Sequence, residues 1–255
     1  MIRHTVRDSS YLAMRALREV IRQPAFEVQN YFIPLFFFFV TVGAIGNVSG
    51  RAFGVTNYEA FQMPVAVLQG VAGGASVSAL AMVTDIERGY FDKLLLTPTP
   101  RIALVLGRLF ADGIRVMVIT LVILIVATIF GSGMEAGVAG YVAILLLAGL
   151  FGLAYAGFGL SIALRTGSPQ AAQAGFLIFF PLLFLSPAFA PKEFFDGWLE
   201  FLATINPVTY ILEGMRTLVL VGWDWEDVGK ALLAIGGLGA VNITLTILAL
   251  RHRTA

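Results

Sequence analysis

Long apolar stretches constrain this chain more than any other feature of its sequence. A helix needs about 20 mostly apolar residues to cross the roughly 30 Å hydrocarbon core of a bilayer. Six stretches fit this description: 28–47, 60–83, 104–130, 137–164, 170–186 and 227–250. The fifth is short and contains Pro181, which predicts a kinked or incomplete helix. We therefore predict an all-α membrane protein with six transmembrane helices.

The composition agrees with a membrane protein and excludes several kinds of chemistry. The chain is 58% hydrophobic and 13% charged, whereas soluble domains are about 45–50% apolar and about 25% charged. It has no cysteine and only two histidines, His4 and His252, which excludes thiolate metal sites and a serine–histidine protease. Ala231 follows the only Gly-Lys pair, Gly229-Lys230, so a Walker A nucleotide-binding loop is excluded. The net charge of +1 provides no basic field for nucleic acid.

Lysine and arginine are distributed unequally between the two sides of the predicted spans. Six spans place both termini on one side, and the side richer in Lys and Arg is cytoplasmic. With both termini inside, twelve of these residues lie inside: Arg3, Arg7, Arg15, Arg18, Arg22, Arg88, Lys93, Arg101, Arg108, Arg165, Arg251 and Arg253. Four lie outside: Arg51, Lys192, Arg216 and Lys230. We therefore predict that both termini are cytoplasmic.

Residues 9–23 have the pattern of an amphipathic helix. On a helical wheel Arg15, Arg18 and Arg22 cluster on one side, and apolar residues occupy the other. This pattern predicts an interfacial helix in the membrane plane, with its arginines directed towards lipid headgroups and water. Pro24 is predicted to end it. The alternative is an ordinary solvated helix before the first span.

The segment between the last two predicted spans is unusually apolar for a loop. Residues 187–222 are rich in aromatic and aliphatic residues and are divided by Asn206-Pro207. We predict two short re-entrant helices in the outer leaflet; the alternative, a seventh span, would place the C-terminus outside.

The predicted single domain, 1–255, comprises a cytoplasmic or interfacial helix (1–27), spans one to five (28–186), an outer re-entrant region (187–226), and span six with a cytoplasmic tail (227–255).

A short charged segment, residues 85–97, separates the second and third predicted spans on the cytoplasmic side. One series of residues at every fourth position is apolar or aromatic: Ile86, Tyr90 and Leu94. The series one position on consists of Glu87, Phe91 and Leu95, so one carboxylate lies within the apolar face. Arg88 and Asp92 have the spacing of an i,i+4 ion pair on the polar side. We predict one cytoplasmic helix with an apolar face, held between two spans. The alternative is an ordinary charged loop.

Two charged residues, Asp112 and Arg115, lie within the third predicted span. Their i,i+3 spacing predicts a local ion pair near the inner end of this helix. The alternative is a proton relay, since ionisable groups inside a membrane are often functional.

Two motifs resemble those of a known family. The run DIERGYFDKLLLTPTPRIALVLGRLFAD, residues 85–112, resembles the signature region of ABC-2 type transporter permeases, particularly the daunorubicin-resistance-like exporter subunits. The run NPVTYILEGMR, residues 206–216, resembles the second recurrent motif of that family, before the last span. The similarity covers essentially the whole chain, from the amphipathic N-terminal segment to the sixth span.

The resemblance implies a half-transporter without an ATPase site of its own. It implies a second permease copy, identical or related, and a separate ABC ATPase subunit that carries ATP and Mg²⁺, while this membrane-embedded chain binds no cofactor. It also implies that the ATPase contacts the cytoplasmic helix between spans two and three, with the N-terminal helix beside it. The implied contact residues are Glu87, Arg88, Tyr90, Phe91, Lys93 and Leu94.

Three functions are compatible with the sequence. The favoured one is the permease subunit of an ATP-driven exporter of an amphipathic drug, lipid or glycolipid, in the cytoplasmic membrane of a prokaryote. The second is an exporter of the same fold for a polysaccharide or a teichoic-acid-like polymer, which requires a wide channel lined with aromatic residues. The third is a non-transporting membrane protein, such as an assembly factor or a sensor.

Overall fold

The chain is helical, as predicted. The computed structural model describes residues 9–18, 24–97 and 100–254, and all regular structure in these ranges is helical. A 3-10 turn occupies Lys192–Phe194. The α-helices are α1 (9–18), α2 (Pro24–Phe53), α3 (Tyr58–Glu87), α4 (Tyr90–Leu95), α5 (Arg101–Ile129), α6 (Gly137–Thr166), α7 (Pro169–Phe184), α8 (Trp198–Ile205), α9 (Pro207–Leu220) and α10 (Trp225–Thr254).

Five helices are long and apolar enough to cross a membrane, namely α2, α3, α5, α6 and α10. The shortest of them, α5, has 29 residues, which corresponds to about 44 Å at 1.5 Å per residue. Helix α7 has 16 residues and is about 24 Å long, shorter than a hydrocarbon core of about 30 Å. Five of the six predicted spans are therefore long enough, and the count of six spanning helices stays a prediction.

The chain nevertheless passes from one end of the bundle to the other along α7 and the residues after it. Near its start, Arg253 at the end of α10 donates a hydrogen bond to the Leu164 carbonyl at the end of α6 (3.1 Å). Beyond its end, the Tyr58 hydroxyl at the start of α3 donates to the Phe189 carbonyl (3.1 Å). We name the end where α3, α6 and α10 finish the inner end, and the opposite end the outer end.

Two short helices, α8 and α9, complete the outer end beside α7. The prediction that Asn206-Pro207 divides two short helices is confirmed, and neither is long enough for the alternative seventh span. The Asn206 side chain accepts a hydrogen bond from the Val208 amide at the start of α9 (3.0 Å) and donates one to the Leu182 carbonyl near the end of α7 (2.6 Å). Asn206 therefore joins all three helices.

Helix α3 lies at the centre of the bundle. In its most apolar stretch 72% of the residues are buried, compared with 17% in α2 and 28% in α10. It packs against α2, α5, α6, α7 and α9. Gly70 permits a close approach to α5, because a Cβ atom there would lie 2.8 Å from Cδ1 of Ile123. Helix α3 thus contacts both the inner and the outer parts of the molecule.

Candidate functional site

The segment between α3 and α5 is a helix end, a turn and a short helix. Helix α3 continues past the predicted span to Glu87, and the Arg88 amide still donates to the Thr84 carbonyl (3.0 Å). Gly89 then adopts φ 65°, a left-handed conformation that other residues rarely adopt and that ends a helix. The predicted short helix between the two spans is therefore present, but it covers only Tyr90–Leu95 and not all of 85–97, because α3 continues to Glu87 and the turn at Gly89 separates the two helices.

One side of α4 is buried within this chain. Phe91 is 2% exposed and belongs to the hydrophobic core, and Leu94 is half-buried. Together with Leu12 of α1, Met82 of α3 and Leu104 of α5, they line a cavity of only about 30 Å³. In this conformation Phe91 holds α4 against its neighbours, so it does not present the exposed surface expected of a residue that contacts a partner subunit.

Asp85, in the last turn of α3, binds two arginines from other helices. Arg15 of α1 lies 3.1 Å from its Oδ1 and Arg108 of α5 lies 2.9 Å from its Oδ2. The Arg15 guanidinium also lies over the Tyr90 ring, 3.8 Å from its centroid. We name these four residues the Asp85 cluster; it joins α1, α3, α4 and α5. Arg15 was predicted to face lipid headgroups, but its guanidinium contacts Asp85 and the Tyr90 ring instead.

Helix α1 packs closely on α5. A Cβ atom at Gly107 would lie 2.7 Å from Cβ of Leu12 and 2.8 Å from the Ser9 carbonyl, so only glycine fits there without movement. Arg18 is exposed, as an arginine facing headgroups or water requires. Arg22, the third arginine of the predicted interfacial helix, lies outside the described residues.

The other side of this region is exposed and charged. Glu87, Arg88, Asp92 and Lys93 are exposed, and Leu96 beyond α4 is 88% exposed. We name these five residues the α4 surface. The predicted ion pair between Arg88 and Asp92 does not form, because the turn at Gly89 takes Arg88 out of helical register with Asp92. Three of the six predicted contact residues, Glu87, Arg88 and Lys93, thus lie on the α4 surface.

A second ion pair lies deeper, between α2 and α5. Arg115 donates from Nε to Oε2 of Glu27 (3.1 Å) and from Nη1 to the Gly74 carbonyl (3.2 Å). The prediction that Arg115 pairs with Asp112 is wrong, because Glu27 lies closer across the helix interface. The sequence pattern did not reveal Glu27, since it precedes the first apolar stretch and lies 88 residues from its partner.

The ionisable side chains of the described residues are spread through the bundle. There, no group of three or more His, Asp or Glu side chains is placed to hold a metal ion. The inner end offers a charged exposed surface beside a short helix. Ion pairs of Asp85 join α3 to α1 and α5, and the contact between Arg15 and the Tyr90 ring adds α4.

Comparison with known proteins identifies the family. A family model described as ABC-2 type transporter matches residues 9–220. The daunorubicin resistance ABC transporter permease protein DrrB1 of Streptomyces coeruleorubidus is 26% identical over 199 residues, which cover 78% of this chain and 70% of that protein. The putative transport permease ycf38 of Porphyra purpurea is 24% identical over 224 residues, which cover 87% and 76%.

A third relative matches a shorter part of this chain. The probable multidrug ABC transporter permease YbhR of Escherichia coli is 27% identical over 168 residues, which cover 64% of this chain and 45% of that protein. The family model includes the helices from α1 to α9 and both motifs that carry the resemblance. The chain therefore belongs to the ABC-2 type transporter family.

Proposed function

We propose that this chain is the permease subunit of an ATP-driven exporter and that a separate ABC ATPase subunit binds the α4 surface. The observation that carries this proposal is the two-sided construction of α4. One side is buried through Phe91, and the other presents exposed charges of both signs. A partner with complementary charges can recognise such a surface. A force that the partner exerts on α4 is transmitted to the bundle, because the opposite side of α4 is packed against other helices.

The exported substrate is an amphipathic drug, lipid or glycolipid. Support comes from relatives named for daunorubicin resistance and for multidrug transport. ATP and Mg²⁺ bind the partner subunit, since this chain has no Walker A sequence. The polymer exporter is the second candidate, since it shares the same fold.

The inner end faces the cytoplasm in this proposal. Arg108 of α5, Arg165 at the end of α6, and Arg251 and Arg253 at the end of α10 all lie at this end, as the positive-inside rule requires of a cytoplasmic side. The chain then lies in the cytoplasmic membrane of a prokaryote with both termini inside, and α8 and α9 lie in the outer leaflet as re-entrant helices.

Movement of the ATPase reaches the bundle through two connections. A push on α4 acts on α3 through the turn at Gly89 and through the packing of Phe91. The Asp85 cluster extends the same push to α1 and α5, because its ion pairs bind both helices to the end of α3. Closure of the ATPase subunits on ATP is thereby converted into a rearrangement of the spans.

A second permease chain, identical or related, completes the transporter in this proposal. Helix α2 exposes several large apolar side chains, including Phe32, Phe36 and Phe39. These side chains require either lipid or another chain as a neighbour.

The proposal is tested by purifying the tagged full chain from cells that contain its ATPase subunit. The triple variant E87A/R88A/K93A is expected to retain about tenfold less ATPase subunit than the native chain, because exposed charges of the docking surface are removed. The control is E193A/D196A/E200A, which removes three exposed charges from the outer end. Equal recovery of the ATPase with both triple variants would contradict docking at the α4 surface.

A further inference from the structure

A cavity of about 300 Å³ lies beside α3, between α2 and α7. This volume lies at the lower limit of ordinary ligand pockets. Its polar lining consists mainly of carboxamides: Gln29, Asn30, Gln69 and Gln173. Its apolar lining includes Ile33 of α2 and Leu177 of α7. Gln29, Gln173 and Leu177 are exposed, so the cavity opens to the surface of the bundle.

Gln69 is the residue that distinguishes this cavity from a packing defect. It is 5% exposed, and its Oε1 atom accepts no hydrogen bond from any residue that the structure describes. A buried amide oxygen that accepts no hydrogen bond is unfavourable and rare in native proteins. Because the two ends of a carboxamide have the same shape, Gln69 can present either an acceptor or a donor to a ligand.

The charge of the cavity restricts what it can bind. Its lining contains no charged side chain. Asn30 donates to Glu27 (3.4 Å), but Glu27 is already paired with Arg115. A cation that entered would lose its hydration without gaining a counter-ion, whereas a hydroxyl or amide would exchange water for hydrogen bonds to carboxamides.

We infer that this cavity binds an uncharged amphiphile that bears hydroxyl or amide groups, as a glycoside does. Gln69 hydrogen-bonds to the polar group, and Ile33 and Leu177 contact the hydrocarbon chain. The inference rests on the proposed function, since it names the class of substrate that the exporter carries. It also separates this chain from a carrier of cationic drugs, for which the cavity offers no free carboxylate.

The test uses the full chain in lipid vesicles, without ATP and without a partner subunit. The native chain has no cysteine, so Ser76→Cys places a single thiol on the wall of the cavity. The measured quantity is the rate at which N-ethylmaleimide modifies this thiol. The two probes are octyl glucoside and octyltrimethylammonium, which share a chain length and differ in charge, each below its micelle-forming concentration.

Octyl glucoside is expected to slow modification of the thiol, and octyltrimethylammonium is expected to leave its rate unchanged. Gln69→Leu should weaken protection by octyl glucoside about fivefold, the effect of one neutral hydrogen bond. Gln62→Leu is the matched control, because Gln62 lies two turns away on α3, is equally buried and has an unpartnered amide oxygen, but does not line the cavity. Gln173→Leu, at an exposed position, serves as a second variant should Gln69→Leu fail to fold.

Equal or stronger protection by the cation would overturn the inference, as would full protection of Gln69→Leu and Gln173→Leu by octyl glucoside. A further arm replaces octyl glucoside with a diacyl glycolipid in the vesicle membrane; protection by this lipid supports the inference and assigns the ligand to the bilayer. Because no ATPase is present, a negative result in this experiment would not contradict docking of the ATPase at the α4 surface. Likewise, a negative result in the docking experiment would not contradict binding of the amphiphile in the cavity.

Discussion

The inner and outer ends of the bundle hold arginine side chains by different means. At the inner end Arg15 and Arg108 bind the carboxylate of Asp85. At the outer end Arg216 donates to two backbone carbonyls and lies over the ring of Phe61, with its guanidinium carbon 3.6 Å from the ring centroid. Attraction between full charges responds to nearby charge and to salt, whereas hydrogen bonds to carbonyls respond mainly to geometry. The inner end is therefore adjustable by a charged partner, and the outer end is fixed by its shape.

The largest effect is expected at the outer end, from Arg216→Ala. This change leaves the buried carbonyls of Phe61 and Pro187 without their donor and opens a space beside the Phe61 ring. We expect a loss of about 3 kcal/mol in the free energy of unfolding, measured by denaturant titration in detergent. Arg51→Ala, at an exposed outer position, should change it by less than about 0.5 kcal/mol. Equal losses for both variants would show that the outer end is not held by Arg216.

Asp85→Asn should have the next largest effect. The substitution keeps the shape of the side chain but leaves Arg15 and Arg108 close together without a negative charge. We expect a loss of about 2 kcal/mol in the free energy of unfolding. Adding Arg108→Gln to Asp85→Asn should recover part of this loss, because the repulsion between the two arginines is then removed. If the double variant is as unstable as the sum of the two single variants, the cluster is not coupled by charge.

Salt should affect the stability contributed by the two ends differently. Raising the ionic strength from about 0.05 to about 0.5 M shortens the Debye length from roughly 14 to roughly 4 Å. The difference in unfolding free energy between the native chain and Asp85→Asn should shrink by several tenths of a kcal/mol, because the residues of the cluster are partly exposed. The corresponding difference for Arg216→Ala should stay constant. If salt reduced the loss of unfolding free energy equally in both variants, the two ends would not differ in how they hold their arginines.

Among the single substitutions considered at the inner end, a smaller effect than that of Asp85→Asn is expected at the turn that precedes α4. Gly89→Ala meets no atom within 4 Å, so its cost comes from the left-handed backbone alone. We expect a loss of about 1 kcal/mol in the free energy of unfolding. Gly229→Ala in α10 also meets no atom, but its backbone is helical, so it should stabilise the protein by up to about 1 kcal/mol. Opposite signs for these two substitutions in thermal unfolding would confirm the turn, and equal signs would contradict it.

Elements defined by long apolar runs could be predicted from the sequence, and contacts between distant segments could not. The helix-dividing Asn206-Pro207 was predictable because the signal is local: a proline removes a donor, and an asparagine before it caps the next helix. The turn at Gly89 was missed because the apolar spacing of 85–97 continues through it. A glycine inside a helical pattern marks a turn only when tertiary packing demands one.

The partners of charged residues were the least predictable part of the site. Local spacing favoured pairs between Arg88 and Asp92 and between Asp112 and Arg115, but side chains from other helices determine the pairing of Arg115. Its partner Glu27 is 88 residues away in sequence. The burial of Phe91 was likewise hidden, since a helical wheel separates apolar from polar sides without showing whether another segment of the chain covers them.

One consequence follows from the length of α3. This helix has 30 residues, about 45 Å, and it carries Asp85 near one extremity and Phe61 near the other. For a straight rod of this length, rotation by about 5° about one extremity displaces the other by about 4 Å. That distance exceeds the reach of any hydrogen bond, so a small tilt produced at the inner end is enough to separate Arg216 from the Phe61 carbonyl at the outer end.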